Sequence, residues 1–485
     1  MARFAQKSTS TVFVPDTVNL AGGTAFKESP KLEFASALLT CLTTDTYYKS
    51  AEGQVTRIAE LSKTVDPLFA AKAAIFTRKK NGLRSVSHIV AGELSQRLDI
   101  KGETWTKNFF KSVINRPDDV TEILSYIKVS NPKLRNLSNA LKKGLGKALS
   151  SFDAYQLAKY RGEGKELNLY DAVNLLHPKG TEALTALMTG TLKPADTWET
   201  KLTQAGQKAT SDEDKVNLKG QAWKDLLSAN KLGYMACVRN LRNIAEQAPE
   251  ALPLALNFIQ DPKQVEKSLM LPFQIFTATE AIRGTAADTN AVKKALEKAM
   301  ELSLINVPKF EGKSLIAVDV SGSMSHRPIQ IAALMASVLF KSNDADVLLF
   351  DTQVQNLSLH PGDSLTSLSG TIIKRASGGG TDFNLIFSGA KQAYDRIIIL
   401  SDMQAWVKGG WVSNTPTESF KAYKKKFSCN PNIFSFDLTG QGSLQFPESK
   451  IFALAGFSDA VLKVMQNLEK DPNALVAEIE AVSIV

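Results

Sequence analysis

The first three fifths of the chain repeat apolar residues at spacings of three and four. Two such runs are Leu32, Phe34, Ala35, Leu38, Leu39 and Leu42, and later Leu184, Leu187 and Met188. This spacing places the apolar residues on one face of an α-helix, with polar residues opposite. The pattern predicts a nearly continuous series of amphipathic helices from Lys31 to Leu304.

Turn and cap signals interrupt this helical region at short intervals. Examples are Asp66-Pro67, Asn131-Pro132, His177-Pro178 and Asp261-Pro262. Proline after a capping residue ends one helix and starts the next, and short connections favour antiparallel helix pairs. A long run of such pairs predicts an α-solenoid of degenerate repeats rather than a four-helix bundle.

The hydrophobic pattern changes near residue 310. Apolar runs of strand length, each with an acid at or next to its end, occupy residues 314–320, 345–351, 396–402 and 432–438, and the stretch Pro328 to Lys341 between the first two is helix-like. Strands that alternate with helices predict a doubly wound parallel sheet. The sequence therefore predicts a fold that is mainly α plus α/β, with a helical domain at 1–310 and an α/β domain at 311–485.

Composition and charge narrow the function classes. Only three cysteines (Cys41, Cys237 and Cys429) and four histidines occur, which argues against a disulfide framework and a zinc finger. No apolar run is long enough to span a membrane and the N-terminus lacks a secretory signal, so a soluble cytoplasmic protein is expected. The net charge is +9, and residues 311–485 hold 15 Lys and Arg against 17 Asp and Glu, which leaves +11 on the first 310 residues. Two interpretations stay open, a polyanion-binding helical half or a solvated lysine-rich surface.

Basic residues concentrate in two parts of the helical region. The larger zone runs from Lys128 to Lys179, and a second cluster consists of Arg78, Lys79, Lys80 and Arg84. The larger zone includes Lys142, Lys143, Lys147, Lys159, Arg161 and Lys165. Cations on successive solenoid helices would line one face and contact phosphates in a salt-dependent way. Tyr155, Tyr160 and Tyr170 lie among them, either to stack on bases or to pack in the fold.

Polar residues follow two of the predicted strands, and another polar segment precedes a later helix. Asp319-x-Ser321-x-Ser323 follows the first strand, Thr381 lies in Gly378-Gly379-Gly380-Thr381-Asp382, and Asp402 closes a later strand. Carboxylate and hydroxyl oxygens without histidine or thiolate suit a hard cation, and few carboxylates favour Mg²⁺ over a calcium cage. The alternative is that these Asp and Ser residues only cap helices. Asp382 is expected to cap a helix rather than bind metal.

The segment Ala317 to Met324, with Gly379 to Asp382 and Ser401-Asp402, resembles a von Willebrand factor A domain with its metal-ion-dependent adhesion site. With a long helical array in front of it, the chain resembles the Ro autoantigen family of TROVE-domain proteins. The helical stretches that carry the resemblance are Phe34 to Tyr48 with Thr46-Tyr47-Tyr48, Ala140 to Ala148, Ala158-Lys159-Tyr160, Leu175 to Lys179, Ala222 to Leu227, Arg239-Asn240-Leu241 and Leu271-Pro272-Phe273.

The resemblance implies a ring of HEAT-like helical repeats closed by the A-type domain. It also implies a noncatalytic ribonucleoprotein component that binds small noncoding Y-type RNAs outside the ring and 3′ ends of misfolded RNAs through it, in RNA quality control. Its implied RNA contacts are Lys159, Arg161 and His177, with Lys165 as an alternative to Arg161. His177 has a structural alternative as a turn residue before Pro178.

Two other function classes remain open from the sequence. One is a metal-dependent protein-adhesion scaffold that does not bind RNA. The other is a Mg²⁺ hydrolase with His326 as its base, which is disfavoured because Asp319 and Asp402 would be committed to the ion. The resemblance also implies a monomer and an exoribonuclease as a partner.

Overall fold

A computed structural model describes residues 17–18, 24–25, 29–40, 51–133, 136–162, 164–403, 416–438, 451–455, 461–470 and 474–484. The Thr46-Tyr47-Tyr48 segment of the family resemblance lies outside these residues. None of the described helices is long and apolar enough to cross a membrane.

The described part of residues 1–310 is almost entirely helical, after a short pairing of β1 (Thr17–Val18) with β2 (Thr24–Ala25). Its helices are α1 (Pro30–Thr40), α2 (Ala51–Thr64), α3 (Pro67–Lys80), α4 (Ser85–Gln96), α5 (Thr106–Ser112), α6 (Pro117–Ser130), α7 (Asn139–Leu149), α8 (Ala154–Lys159), α9 (Leu169–Leu176), α10 (Glu182–Met188), α11 (Trp198–Lys208), α12 (Asp212–Ser228), α13 (Tyr234–Arg239), α14 (Leu241–Gln247), α15 (Leu252–Ile259), α16 (Pro262–Ser268), α17 (Pro272–Ala281) and α18 (Asn290–Leu302). Of the predicted breaks, Asp66-Pro67 and Asp261-Pro262 start helices, whereas Asn131-Pro132 and His177-Pro178 follow the ends of α6 and α9. Asp66, for example, accepts a hydrogen bond from the Phe69 amide at 2.7 Å at the start of α3.

The first helices form two layers. Helices α1, α3, α5 and α7 pack in succession in one layer, and α2, α4, α6 and α9 pack in succession in the other. Helices α5 and α7 approach so closely that a Cβ at Gly144 would lie 2.6 Å from the Lys107 carbonyl oxygen. Stacked helix pairs with a continuous core between the layers are the architecture of a helical-repeat solenoid.

The α/β domain follows a change of secondary structure between Asn306 and Ser314. Its elements are β3 (Ser314–Asp319), α19 (Arg327–Ser342), β4 (Ala345–Phe350), β5 (Val354–Leu357), α20 (Leu365–Lys374), α21 (Asn384–Gly389), β6 (Arg396–Ser401), α22 (Pro416–Phe427), β7 (Asn432–Asp437), β8 (Ile451–Ala455), α23 (Val461–Lys470) and α24 (Ala474–Glu480). The described strands form one sheet in the order β5-β4-β3-β6-β7-β8, in which β5 is antiparallel and the others are parallel. The strand order reverses between β3 and β6, which is where such sheets bind ligands.

Both faces of this sheet are buried. Alternate residues of β3, Leu315 and Ala317, face a core formed with α21 and α22. Ile316 and Val318 face the other way, into a core that continues into the helical half. Period-two alternation in a strand covered by helices on both sides explains why the strands are apolar throughout.

The end of the chain packs on its beginning. Helix α24 contacts α1 and α3, and α1 also contacts β8 and α23. Lys31 and Glu480 form an ion pair at 2.5 Å across this junction. The last helix therefore packs on the helical half and does not extend the sheet, a point that the sequence left open, and the helical array closes into a ring through the A-type domain.

The four predicted strands are confirmed, each ending one residue earlier than the apolar run. The doubly wound sheet has one antiparallel strand that the sequence did not reveal, because β5 pairs antiparallel with β4 at one edge. Short edge strands such as β5 lack the continuous apolar run of a buried strand, so the pattern did not reveal it.

Candidate functional site

Asp319 lies at the carboxyl end of the central strand β3. Its carboxylate is fully buried and accepts a hydrogen bond from the Ser321 amide at 2.9 Å on one oxygen. The other oxygen accepts from Ser401 Oγ, at the end of neighbouring β6, at 2.6 Å. Ser321 Oγ and Ser323 Oγ are 3.2 Å apart. The structure therefore brings the loop after β3 to the end of β6 at the point where the strand order reverses.

The glycine-rich loop joins the same site. The Gly322 amide donates to the Gly379 carbonyl at 2.9 Å, and the Gly378 amide donates to the Val320 carbonyl at 3.0 Å. A Cβ at Gly322 would lie 3.0 Å from the Gly378 carbonyl oxygen, so the close approach favours glycine there. Thr381, in the same loop, is 3% exposed.

The site concentrates negative charge in a buried place. Burial raises the pKa of Asp319 to about 7, hydrogen bonds from Ser321 and Ser401 oppose that rise, and the nearby Asp402 carboxylate adds to it. Asp402 is itself buried. Two buried carboxylates near each other, surrounded by hydroxyls, would both stay ionised more easily with a cation between them.

The donor set fits a hard divalent cation. Asp319, Asp402, Ser321, Ser323 and Thr381 supply only oxygen, which Mg²⁺ prefers. In the part of the chain that the structure describes, no group of three or more His, Cys, Asp or Glu residues forms a metal cage. Serine and threonine hydroxyls would therefore complete any ligand shell here.

Asp382 caps the start of α21, as the sequence predicted. Its Oδ1 accepts hydrogen bonds from the Asn384 amide at 2.9 Å and from Asn384 Nδ2 at 2.8 Å. His326, the base considered for a hydrolase, is exposed and has a φ of 70° just before α19.

Two polar residues of this edge were not among the sequence candidates. Asp351 follows β4, is 4% exposed, and accepts from the Gln353 amide and from Ser377 Oγ in the glycine-rich loop. Ser401 is fully buried, and its hydroxyl donates a hydrogen bond to the Asp319 carboxylate. Both residues lie where an apolar strand ends. Their position at a strand end is the feature of the sequence that could have identified them as site residues.

Three neighbouring helices of one layer, α3, α5 and α7, contain no aspartate or glutamate. We call them the acid-free layer. Its cations are Lys72, Arg78, Lys79, Lys80, Lys107, Lys111, Lys142, Lys143 and Lys147. Burial and then the nearby charge of Lys111, on the adjacent helix α5, lower the pKa of Lys79. Helices α4, α6 and α9 of the other layer do contain acids, and Asp66, Asp99 and Glu103 lie in the connections beside the acid-free layer.

Part of the second basic cluster points inward, which corrects the expectation that all of it faces a ligand. Arg78 Nη2 contacts Asp119 Oδ2 at 2.7 Å, and Arg84 contacts both Asp118 and Asp119. His88 Nε2 lies 3.1 Å from Asp119 Oδ1. Burial alone would raise the pKa of Asp119, but His88, the Asn115 amide and Arg78 hold it well below its usual range. These charges stabilise the contact between α3, α4 and α6.

Lys159 and Arg161 lie on either side of Tyr160. Lys159 is exposed, and its Nζ lies 5.5 Å from the centre of the Tyr160 ring, while the Arg116 guanidinium lies 4.3 Å from that centre. Arg161 is half-buried, and its Nη2 donates to the Leu192 carbonyl at 2.5 Å. The Tyr160 ring thus already contacts two cationic side chains of the protein. Tyr155 and Tyr170 are about half exposed.

His177 ends α9 in the left-handed conformation, with a φ of 47°, and its side chain is exposed. Its amide donates to the Val173 carbonyl, so its backbone has the capping role that the sequence left open. The following residues pack on α7, since Ser150 Oγ donates to the Lys179 carbonyl at 2.7 Å.

Lys142 and Lys143 lie in the first half of α7. Lys142 is half-buried and Lys143 is exposed. Lys165 lies on a different side, in an exposed ion pair with Glu122 of α6 at 2.8 Å.

Comparison with known proteins identifies the family of this chain. Residues 188–335 match the TROVE domain, and residues 313–469 match the Ro60 vWA domain. The two matches overlap and together run from residue 188 to residue 469. The chain belongs to the Ro family.

A curated relative of this Ro-family chain is the RNA-binding protein RO60 of Deinococcus radiodurans, with 24% identity over 274 residues. The alignment spans about half the length of each protein, 50% of both. The crystal structure of the Deinococcus radiodurans RO (RSR) protein matches with a TM-score of 0.62 and 19% identity, over 93% of this chain and 99% of the other. That match shows that the two proteins share a fold.

Proposed function

We propose that this protein binds RNA through its helical half. The observation that carries the proposal is the acid-free layer, where three adjacent helices present lysines without a single carboxylate among them. Lysines held close together repel one another, and the phosphates of a polyanion would relieve that repulsion. The name of the Deinococcus relative, an RNA-binding protein, supports RNA as the polyanion.

The finer proposals follow the family resemblance. The RNA would be a small noncoding Y-type RNA or the single-stranded 3′ end of a misfolded RNA, bound by a noncatalytic, monomeric, cytoplasmic protein in RNA quality control. Lys142 and Lys143 belong to the acid-free layer, and Lys159, Arg161 and His177 would extend the contact towards α8 and α9. An exoribonuclease would be a partner.

The test is binding to a labelled RNA duplex with a single-stranded 3′ tail, with tail length and salt concentration varied. Binding that depends on the tail and weakens steeply with salt supports the proposal, because each phosphate contact released adds to the salt dependence. Charge reversal at Lys107 and Lys111 should weaken binding, whereas the exposed Lys294 on α18 gives a matched control for charge alone. An absence of binding at low salt would contradict the proposal.

We propose a second function for the A-type domain, metal-dependent docking of a partner. The buried pair Asp319 and Asp402 with the hydroxyls around it favours a bound Mg²⁺. A partner's carboxylate or phosphate would complete the coordination of the ion. Titration with Mg²⁺ by calorimetry tests this, and an unchanged titration in Asp319→Ala would contradict the assignment.

A further inference from the structure

A cavity of about 690 Å³ opens beside α5 and α7 of the acid-free layer, between the α4–α5 connection and the start of α7. Its floor is apolar and includes Leu94, Phe110 and Leu141, all of them buried. This volume is in the range of pockets that hold small organic ligands.

The rim of the cavity is basic and rich in amides. Lys101 and Lys143 line it, and both are exposed and form no ion pair with the described residues. Glu103 is the single acidic residue among the described lining residues. Asn136 and Asn139 supply amide groups that can both donate and accept hydrogen bonds.

The walls are held in place by the fold itself. Arg97 Nη1 donates to the carbonyls of Ser62 and Val65 at 3.0 and 2.9 Å, which fixes the α4–α5 connection against α2. On the opposite wall, Asn131 Nδ2 donates to Gln96 Oε1 at 2.9 Å. A fixed wall reduces the entropy that a ligand must overcome to bind.

One large apolar side chain at this cavity is exposed to solvent. Leu98 lines it and is 86% exposed. An apolar floor, an uncovered leucine and two lysines without an ion pair among the described residues together match a ligand that is apolar on one part and anionic on another. An unpaired nucleotide has this chemistry, with its base on the leucine and its phosphate near the lysines.

We infer that this cavity receives an unpaired nucleotide of the RNA bound along the acid-free layer, an inference that rests on the proposed RNA-binding function. Lys143 belongs both to the cavity and to that layer, so one strand can contact both. Base insertion would add a contact that depends on the base to the charge contacts of the lysine face.

The test compares two oligonucleotides on the full chain, a short oligouridylate and an oligomer of equal length without bases. The native protein should bind the oligouridylate roughly tenfold more tightly, the range that one inserted base contributes. Asn139→Trp fills the cavity without changing charge, so it should lose this preference and bind both oligomers alike. Lys294→Glu, far along the chain on α18, should keep the preference.

The outcomes separate the two claims. Native protein that binds both oligomers equally, or a folded Asn139→Trp variant that keeps the base preference, overturns the cavity inference while RNA binding stands. Native protein that binds neither oligomer at low salt overturns both. Circular dichroism checks folding, and Asn136→Trp replaces Asn139→Trp if the latter does not fold.

Discussion

The helical half and the A-type domain each bury one aspartate completely, and the surroundings of the two differ. Asp119 contacts two arginines and a histidine, which hold its pKa below the usual range. Asp319 contacts hydroxyls and an amide, has another acid nearby, and its pKa rises to about 7. The charge of Asp119 is therefore neutralised by the fold, whereas Asp319 has no ion pair with a cationic side chain among the residues that the structure describes. This contrast separates a structural ion cluster from a candidate metal site.

The largest effect on stability is expected from removing Asp119, the aspartate that is paired with arginines and a histidine. Asp119→Ala leaves Arg78 buried without its partner, which typically costs about 3 to 5 kcal/mol of unfolding free energy. Denaturant unfolding monitored by circular dichroism measures the loss. Glu122→Gln, one turn further along α6, removes only an exposed ion pair and should cost less than about 1 kcal/mol. Equal effects of the two substitutions would show that Asp119 is not a structural centre.

The same acid predicts a dependence on pH. Because the folded-state pKa of Asp119 is depressed, its stabilisation is present above the pKa of an unfolded aspartate, about 4, and is lost as pH falls below it. The difference in unfolding free energy between the native protein and Asp119→Asn should therefore shrink on acidification. A difference that grows as the solution becomes more acidic would contradict the depressed pKa.

Mg²⁺ should stabilise the folded protein by binding at Asp319. A hundredfold excess of Mg²⁺ over its dissociation constant should stabilise the native protein by about 2.7 kcal/mol, because the ion binds only the folded state. Thermal unfolding with and without Mg²⁺ measures this, and Asp319→Ala should abolish the gain. Asp363→Asn, an exposed acid of the same domain, should keep it. A Mg²⁺ effect of equal size in all three proteins would indicate nonspecific ion binding.

The smallest expected effect concerns the RNA contacts near α8 and α9. Lys159→Ala with His177→Ala removes two exposed groups, so RNA binding should weaken several-fold and the salt slope should fall by about one unit. Filter binding across a salt series gives both values, with Lys294→Ala as control. Unchanged affinity in a folded double variant would reject these two residues as contacts.

The sequence was most informative about the A-type domain. Each of the four predicted strands is a local apolar run, so the hydrophobic pattern alone assigns Asp319 and Asp402, at the ends of β3 and β6, to one sheet edge. The sequence was less informative about the helical cations. Arg78 and Lys79 are neighbours in one basic cluster, yet one pairs inside the protein and the other faces out.

The sequence by itself determined the main element types, the edge of the sheet that carries the candidate oxygen ligands, and the net positive charge of the first 310 residues. Hydrophobic period and charge are local properties, so they can be read without long-range information. The tertiary structure decided that Arg78 meets Asp119, 41 residues away, and that α24 packs on α1 and α3. It also created the cavity between two helix connections. Such features depend on which helices pack together, and no local pattern specifies that packing.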